Sequence, residues 1–126
     1  MKPVILLAED EAAIALSLQG ALEDGGYAVR VVASAEQAFA LIDDGAVQLA
    51  GLITDIRLGA GPDGWALARH ARELHPALPI VYMSGDSAVD HPSKGVPSSL
   101  MVQKPFAMAQ IVTAISTLLN QTPPVV

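Results

Sequence analysis

The sequence predicts an α/β domain with a mostly parallel sheet, and three observations predict it. Short, continuous apolar runs such as Val4 to Ala8 recur along the chain, as in strands buried on both faces. Between them lie segments whose apolar residues repeat at helical spacing, and such alternation calls for parallel strands joined by helical crossovers. The apolar runs also stop abruptly at polar residues: Glu9-Asp10, Asp55, Ser84 and Lys104.

Each element follows in order. Val4 to Ala8 is the first strand. A helix is expected over Ala12 to Glu23, where Ile14, Leu18, Ala21 and Leu22 share a face until Gly25-Gly26 stops it. Tyr27 to Val32 reads as the second strand. Ser34 can cap a helix over Ala35 to Ile42, with Glu36 or Gln37 close to the capping-box position, and Asp43-Asp44-Gly45 ends it. Leu49 to Thr54 is a third strand running into Asp55, followed by a loop at Gly59 to Pro62. The next helix spans Gly64 to Leu74, with Leu67, Ala71 and Leu74 on one face and Trp65 as its anchor. Pro76 and Pro79 bracket a turn into the fourth strand, Ile80 to Met83. Ser99 to Val102 is a short fifth strand, and Ala107 to Leu119 a last helix that buries Ile111, Ile115, Leu118 and Leu119.

The segment Ser87 to Ser98 should hold a fourth helix but contains Pro92, Gly95 and Pro97. Proline in a helix interior costs roughly 3 kcal/mol, so this helix is expected to be one short turn or missing. Residues 1–120 form one domain by length, and 121–126, with Pro123-Pro124, a flexible tail.

Composition narrows the function. The chain is 52% hydrophobic but only 4% aromatic, so the core must be aliphatic. A net charge of -6 without a basic run disfavours nucleic acid as a partner. The absence of cysteine excludes disulfide and thiolate chemistry. No signal peptide or membrane-length apolar run is visible, so a cytoplasmic domain without membrane contact is expected.

In an open parallel sheet, ligands bind beyond the carboxyl ends of the strands. Here those ends carry Glu9 and Asp10, Asp55, Ser84 and Lys104. This set suits phosphoryl transfer to a carboxylate. Asp55 would be the acceptor, Lys104 a point charge for a phosphoryl oxygen and Ser84 a hydroxyl donor. Two carboxylates about 4 Å apart repel by about 4 kcal/mol at an effective dielectric of about 20. A Mg2+ ion, which favours carboxylate, water and phosphate oxygens, would cancel that repulsion.

Those residues resemble the response-regulator receivers of two-component signalling. The similar features are Glu9-Asp10 after the first strand, Asp55 after the third, Asp63-Gly64 after the next loop, Ser84 after the fourth and Lys104-Pro105-Phe106 after the fifth. The resemblance covers Val4 to about Leu119. It implies a flavodoxin-like five-stranded sheet of order 2-1-3-4-5 with helices on both faces. It implies Mg2+ held by Asp10, Asp55 and the backbone carbonyl of Arg57, with Glu9 direct or through water. It implies a histidine kinase or histidine phosphotransferase as donor, a cis Lys104-Pro105 bond, and output through an unidentified downstream protein.

The chain departs from the family pattern in three places. The loop from Asp55 to Asp63 is about one residue longer than usual, Met101 stands where an aromatic residue is usual on the fifth strand, and the fourth helix is damaged. Signalling by reordering of Ser87 to Ser98 is one expectation from these departures. A phosphorylation-independent adaptor of the same fold is the first alternative. A phosphohydrolase of the haloacid dehalogenase type would need Asp-x-Asp after the first strand, and a nucleotide binder a Gly/Ser/Thr-rich loop there. Neither pattern is present. His70, His75 and His91 are expected on the surface, Asp86 and Asp90 as loop acids, and Arg57 as a loop arginine or a residue facing a partner.

Overall fold

The computed structural model describes residues 1–86 and 88–121. Five parallel strands lie in the order β2-β1-β3-β4-β5: β1 Val4–Ala8, β2 Ala28–Val32, β3 Gly51–Asp55, β4 Ile80–Ser84 and β5 Ser99–Gln103. The helices are α1 Ala12–Asp24, α2 Ala35–Asp44, α3 Gly64–Leu74, α4 His91–Lys94 and α5 Met108–Asn120. Apart from Gln121, the expected tail lies outside the described residues.

The period-two alternation of the strands divides the core into two layers. Leu6, Ala8, Leu52, Ile80 and Tyr82 face α2 and α3, where Ala38, Ile42, Trp65 and Leu67 meet them. Ile5, Leu7, Ile53, Val81 and Met83 face α1 and α5, against Leu18, Leu22, Ile111 and Ile115. Burying each such aliphatic side chain contributes about 1.5–3 kcal/mol, so these layers hold the strand ends in place. Gly51 lets α5 pack closely where it crosses β3, since a Cβ there would lie 2.9 Å from Ile115 Cδ1 and that side chain would have to shift.

Local signals explain the helix starts. Ser34 Oγ accepts from Gln37 N at 3.1 Å, while Gln37 Oε1 accepts from Ala33 N at 2.8 Å. Asp63 Oδ1 accepts from Ala66 N at 2.9 Å and opens α3. The fourth crossover shortens as its prolines require: a 3-10 turn at Ala88–Asp90 leads into the four residues of α4.

Three side chains differ from the sequence expectation. Leu74 shares the helical phase of Leu67 and Ala71 but is 50% exposed, because the last residue of α3 runs past the packed layer. His91 is half-buried rather than on the surface. Its ring stacks on Trp65 with centroids 6.4 Å apart, and its Nε2 lies 2.9 Å from Ser99 Oγ. His70 is half-buried as well, with Nε2 2.6 Å from Asp43 Oδ1, which leaves His75 as the exposed histidine of the three.

Candidate functional site

Register brings the polar strand ends together. Asp55 pairs with Met83 across β3 and β4, and Ser84 pairs with Gln103 across β4 and β5. Ala8 of β1 pairs with Thr54, so Glu9 and Asp10 leave the sheet beside Asp55. Glu9, Asp55 and Ser84 are buried, with exposures of 2%, 7% and 2%, whereas Asp10 is exposed. Gly64 packs onto this end so closely that a Cβ would stand 2.2 Å from the Asp55 carbonyl oxygen. The Asp-Gly pair therefore both caps α3 and lets it approach the acid.

Lys104 reaches across from the end of β5. Its Nζ donates to Asp55 Oδ2 at 2.8 Å and lies 3.7 Å from Glu9 Oε1. The longer distance is an ion pair without a hydrogen bond, so Glu9 Oε1 remains buried with no hydrogen-bond partner. Glu9 Oε2 accepts from Glu11 N at 3.1 Å. The carboxylates of Glu9, Asp10 and Asp55 each place an oxygen within 4.8 Å of the others.

Burial pushes the Glu9 carboxyl up to about 7, and the neighbouring Asp55 charge adds to the rise against the Glu11 amide and the Lys104 ammonium. For Lys104, burial lowers the pKa, but the hydrogen bond to Asp55 and the charges of Asp55, Glu9 and Glu11 outweigh it and raise the value. The Lys104–Pro105 peptide bond is cis.

Asp55 borders openings of opposite character. On one side Glu9, Asp10 and Glu11 line an acidic cavity of 380 Å3. On the other, Arg57, Ser84, Gly85, Asp86 and Lys104 line a second of 380 Å3. A larger groove of 760 Å3 runs past Arg69, Arg72, Pro76 and Leu118, and includes none of the residues of the acid cluster. Its Arg72 guanidinium is committed to the Leu78, Pro97 and Ser98 carbonyls.

All the strand-end residues singled out in the sequence meet here. What sequence reasoning missed is the pairing of Arg57 with Asp86, Nη2 to Oδ2 at 2.5 Å, across the mouth of the second cavity. No local signal marks a contact 29 residues apart. Half-buried Met101 faces Tyr82 in the β4–β5 register. The buried aromatic ring at that place thus comes from β4, packed against Trp65 with centroids 4.7 Å apart.

An open parallel sheet with an acid trio, a hydroxyl and a lysine at its carboxyl end defines a class: α/β domains that bind at the strand ends. The particular family follows from comparison. The family model of the response regulator receiver domain matches residues 5–116, and the chain belongs to that family. It is 35% identical over 117 residues to the response regulator receiver protein CpdR of Brucella abortus, covering 91% of this chain and 95% of that protein. It is 28% identical over 120 residues to the sensor kinase CckA of the same organism, covering 93% of this chain but only 12% of the kinase. A response regulator receiver protein from Sinorhizobium medicae shares the structure with a TM-score of 0.92 and 44% identity, over 95% of this chain and 96% of that one. Among the described residues no helix is long and apolar enough to cross a membrane.

Proposed function

We propose that the chain works as a single-domain response regulator, its receiver unit spanning residues 1–120, with Asp55 as phosphoacceptor. The observation that carries this reading is the Lys104–Asp55 contact at 2.8 Å, set between an acidic opening and one lined by Ser84 and Arg57. The match over 95% of CpdR supports the single-domain form. The likeness to part of a sensor kinase supports a histidine kinase or histidine phosphotransferase as donor. Output through a downstream protein and a place in the cytoplasm belong to the same proposal.

The donor set fits Mg2+: every candidate ligand is an oxygen, three carboxylates converge, and a buried Glu9 oxygen has no hydrogen-bond partner. Asp10, Asp55 and the Arg57 backbone carbonyl would hold the ion, with Glu9 direct or through water. Bound there, it would supply positive charge that offsets the repulsion between the carboxylates and an anionic phosphoryl group.

The protein's own groups do the rest. An Asp55 oxygen forms a bond to phosphorus as the bond to the donor's histidine nitrogen breaks. Lys104 orients the acceptor before transfer and neutralises a phosphoryl oxygen after it. The Ser84 hydroxyl donates to another. These groups are held by packed strand ends, so little reorganisation is needed. The domain is a phosphoacceptor that assists its own phosphorylation and dephosphorylation, rather than a turnover enzyme.

The test is intact mass after incubation with acetyl phosphate and Mg2+. A gain of one phosphoryl group, absent in Asp55→Asn and in chelator, is the expected result. No gain, with no Mg2+ binding, would favour the phosphorylation-independent adaptor. Two observations point to that second reading: the four-residue α4 and the lack of an aromatic residue on β5.

A further inference from the structure

We propose that the groove where β4 and β5 begin is a docking surface for an extended segment of a partner protein, one that sets a carboxylate beside Arg69 among apolar side chains. The groove has a volume of 760 Å3 and lies at the end of the sheet opposite Asp55, so the inference stands apart from the phosphoacceptor reading. Pro79 and Ser98, the residues just before the two strands, line it together with Arg69 and Arg72 of α3 and Leu118 of α5. A cavity of 420 Å3 adjoins it and shares Pro76, Ala77 and Pro79. Leu74 lines that cavity and stands 50% exposed, although its helical phase matches the buried Leu67 and Ala71. The apolar surface thus runs on past the footprint of one small molecule.

Shape, charge and backbone chemistry describe the occupant. The groove is preformed: Arg72 Nε donates to the Leu78 carbonyl at 2.7 Å, and its guanidinium donates to the Pro97 and Ser98 carbonyls, which ties the two walls together. Ser98 sits at φ 57°, in the left-handed region that residues other than glycine seldom adopt, and Arg72 fixes its carbonyl there. A preformed surface spares its occupant part of the cost of ordering. The charge is uncompensated. The chain holds 13 Asp and Glu against 7 Lys and Arg, yet neither Arg69 nor Arg72 forms an ion pair among the described residues. Arg72 is committed to carbonyls, whereas Arg69 is exposed, with Glu73 as the one acid of the lining. Arg69 is therefore the group left to receive a carboxylate. Finally, Pro76, Pro79 and Pro97 carry no N–H, so strand pairing cannot hold the occupant there. Buried apolar side chains and one ion pair have to do so.

The test selects a phage-displayed library of random dodecapeptides on the immobilised full chain and measures the enriched sequences, fluorescein-labelled, by anisotropy. Enriched peptides should carry Asp or Glu flanked by Leu, Ile, Val or Pro. Arg69→Glu should weaken their binding about tenfold, because an attraction becomes a repulsion. Ala77→Trp fills the floor shared by groove and adjoining cavity, and should weaken it at least as much. Both positions are exposed, so neither substitution disturbs the core. Added salt should weaken binding to the wild type, because screening acts on the Arg69 contact. No enrichment, enriched peptides without an acid, or peptides that bind wild type and both variants alike overturn the proposal. Two other occupants would overturn it as well. Peptides that bind only a chain ending at Gln121 would assign the groove to residues 122–126 of the chain itself. A wild type that dimerises in sedimentation, beside a monomeric Arg69→Glu, would assign it to a second copy.

Discussion

The two sides of Asp55 are built on opposite principles. On the acidic side, Glu9, Asp10 and Glu11 crowd like charges around an opening lined by no Lys or Arg among the described residues, with Lys104 reaching Glu9 only at 3.7 Å. On the other side each acid has a partner: Lys104 donates to Asp55, and Arg57 pairs with Asp86. The first side is arranged at a cost to the folded state, and the second is electrostatically satisfied. The difference teaches that one side of Asp55 concentrates negative charge while the other balances it.

Substitutions on the two sides should therefore have opposite signs in metal-free protein. The largest expected effect is Glu9→Gln. The folded pKa of Glu9, about 7, lies above its ordinary value of 4.5, so the folded state holds this proton more tightly. The stability it contributes is complete below about pH 4.5 and is lost as pH rises through about 7. Glu9→Gln removes that loss. Thermal unfolding in chelator should show parent and variant alike near pH 4.5, and the variant more stable at pH 8 by up to roughly 3 kcal/mol. Equal stability at pH 8 would break the claim that the acidic side is strained.

Lys104→Met should move the other way. It leaves Asp55 and Glu9 without their cation, and denaturant titration at pH 8 should show a loss of about 2 kcal/mol, because the pair is largely but not fully buried. A neutral effect would mean that water replaces the ammonium at little cost. Asp10→Asn should give the smallest change. Asp10 is exposed, so relief of repulsion should raise stability by about 0.5 kcal/mol while weakening Mg2+ binding in a calorimetric titration. A clear fall in melting temperature would instead make Asp10 a support for the start of α1. Mg2+ sharpens the whole comparison: added to the parent, it should raise the melting temperature, and the rise should be smaller in Asp10→Asn.

Much of this was legible in the sequence because it is local. Strand alternation, the Ser34 and Asp63 caps and the breaking of α4 by Pro92 and Gly95 depend on near neighbours alone. Boundaries moved by a residue or two: β3 begins at Gly51 rather than Leu49 and includes Asp55, and α2 runs on to Asp44. Helical phase placed Leu67 and Ala71 correctly and failed for Leu74, because phase does not say where the opposing layer ends. His91 was misread for the same kind of reason. Its partners Trp65, Tyr82 and Ser99 come from three other elements.

By itself, then, the sequence determined the order of elements and which polar residues stand at the strand ends, since period and chain termini of strands are properties of short segments. Tertiary structure alone decided that Glu9 is buried while its neighbour Asp10 is not, and that Lys104 lies 2.8 Å from Asp55 across 49 residues. It alone brought Arg57 to Asp86. Burial and charge pairing depend on what the rest of the chain places nearby, and that is set only when the strands take their register.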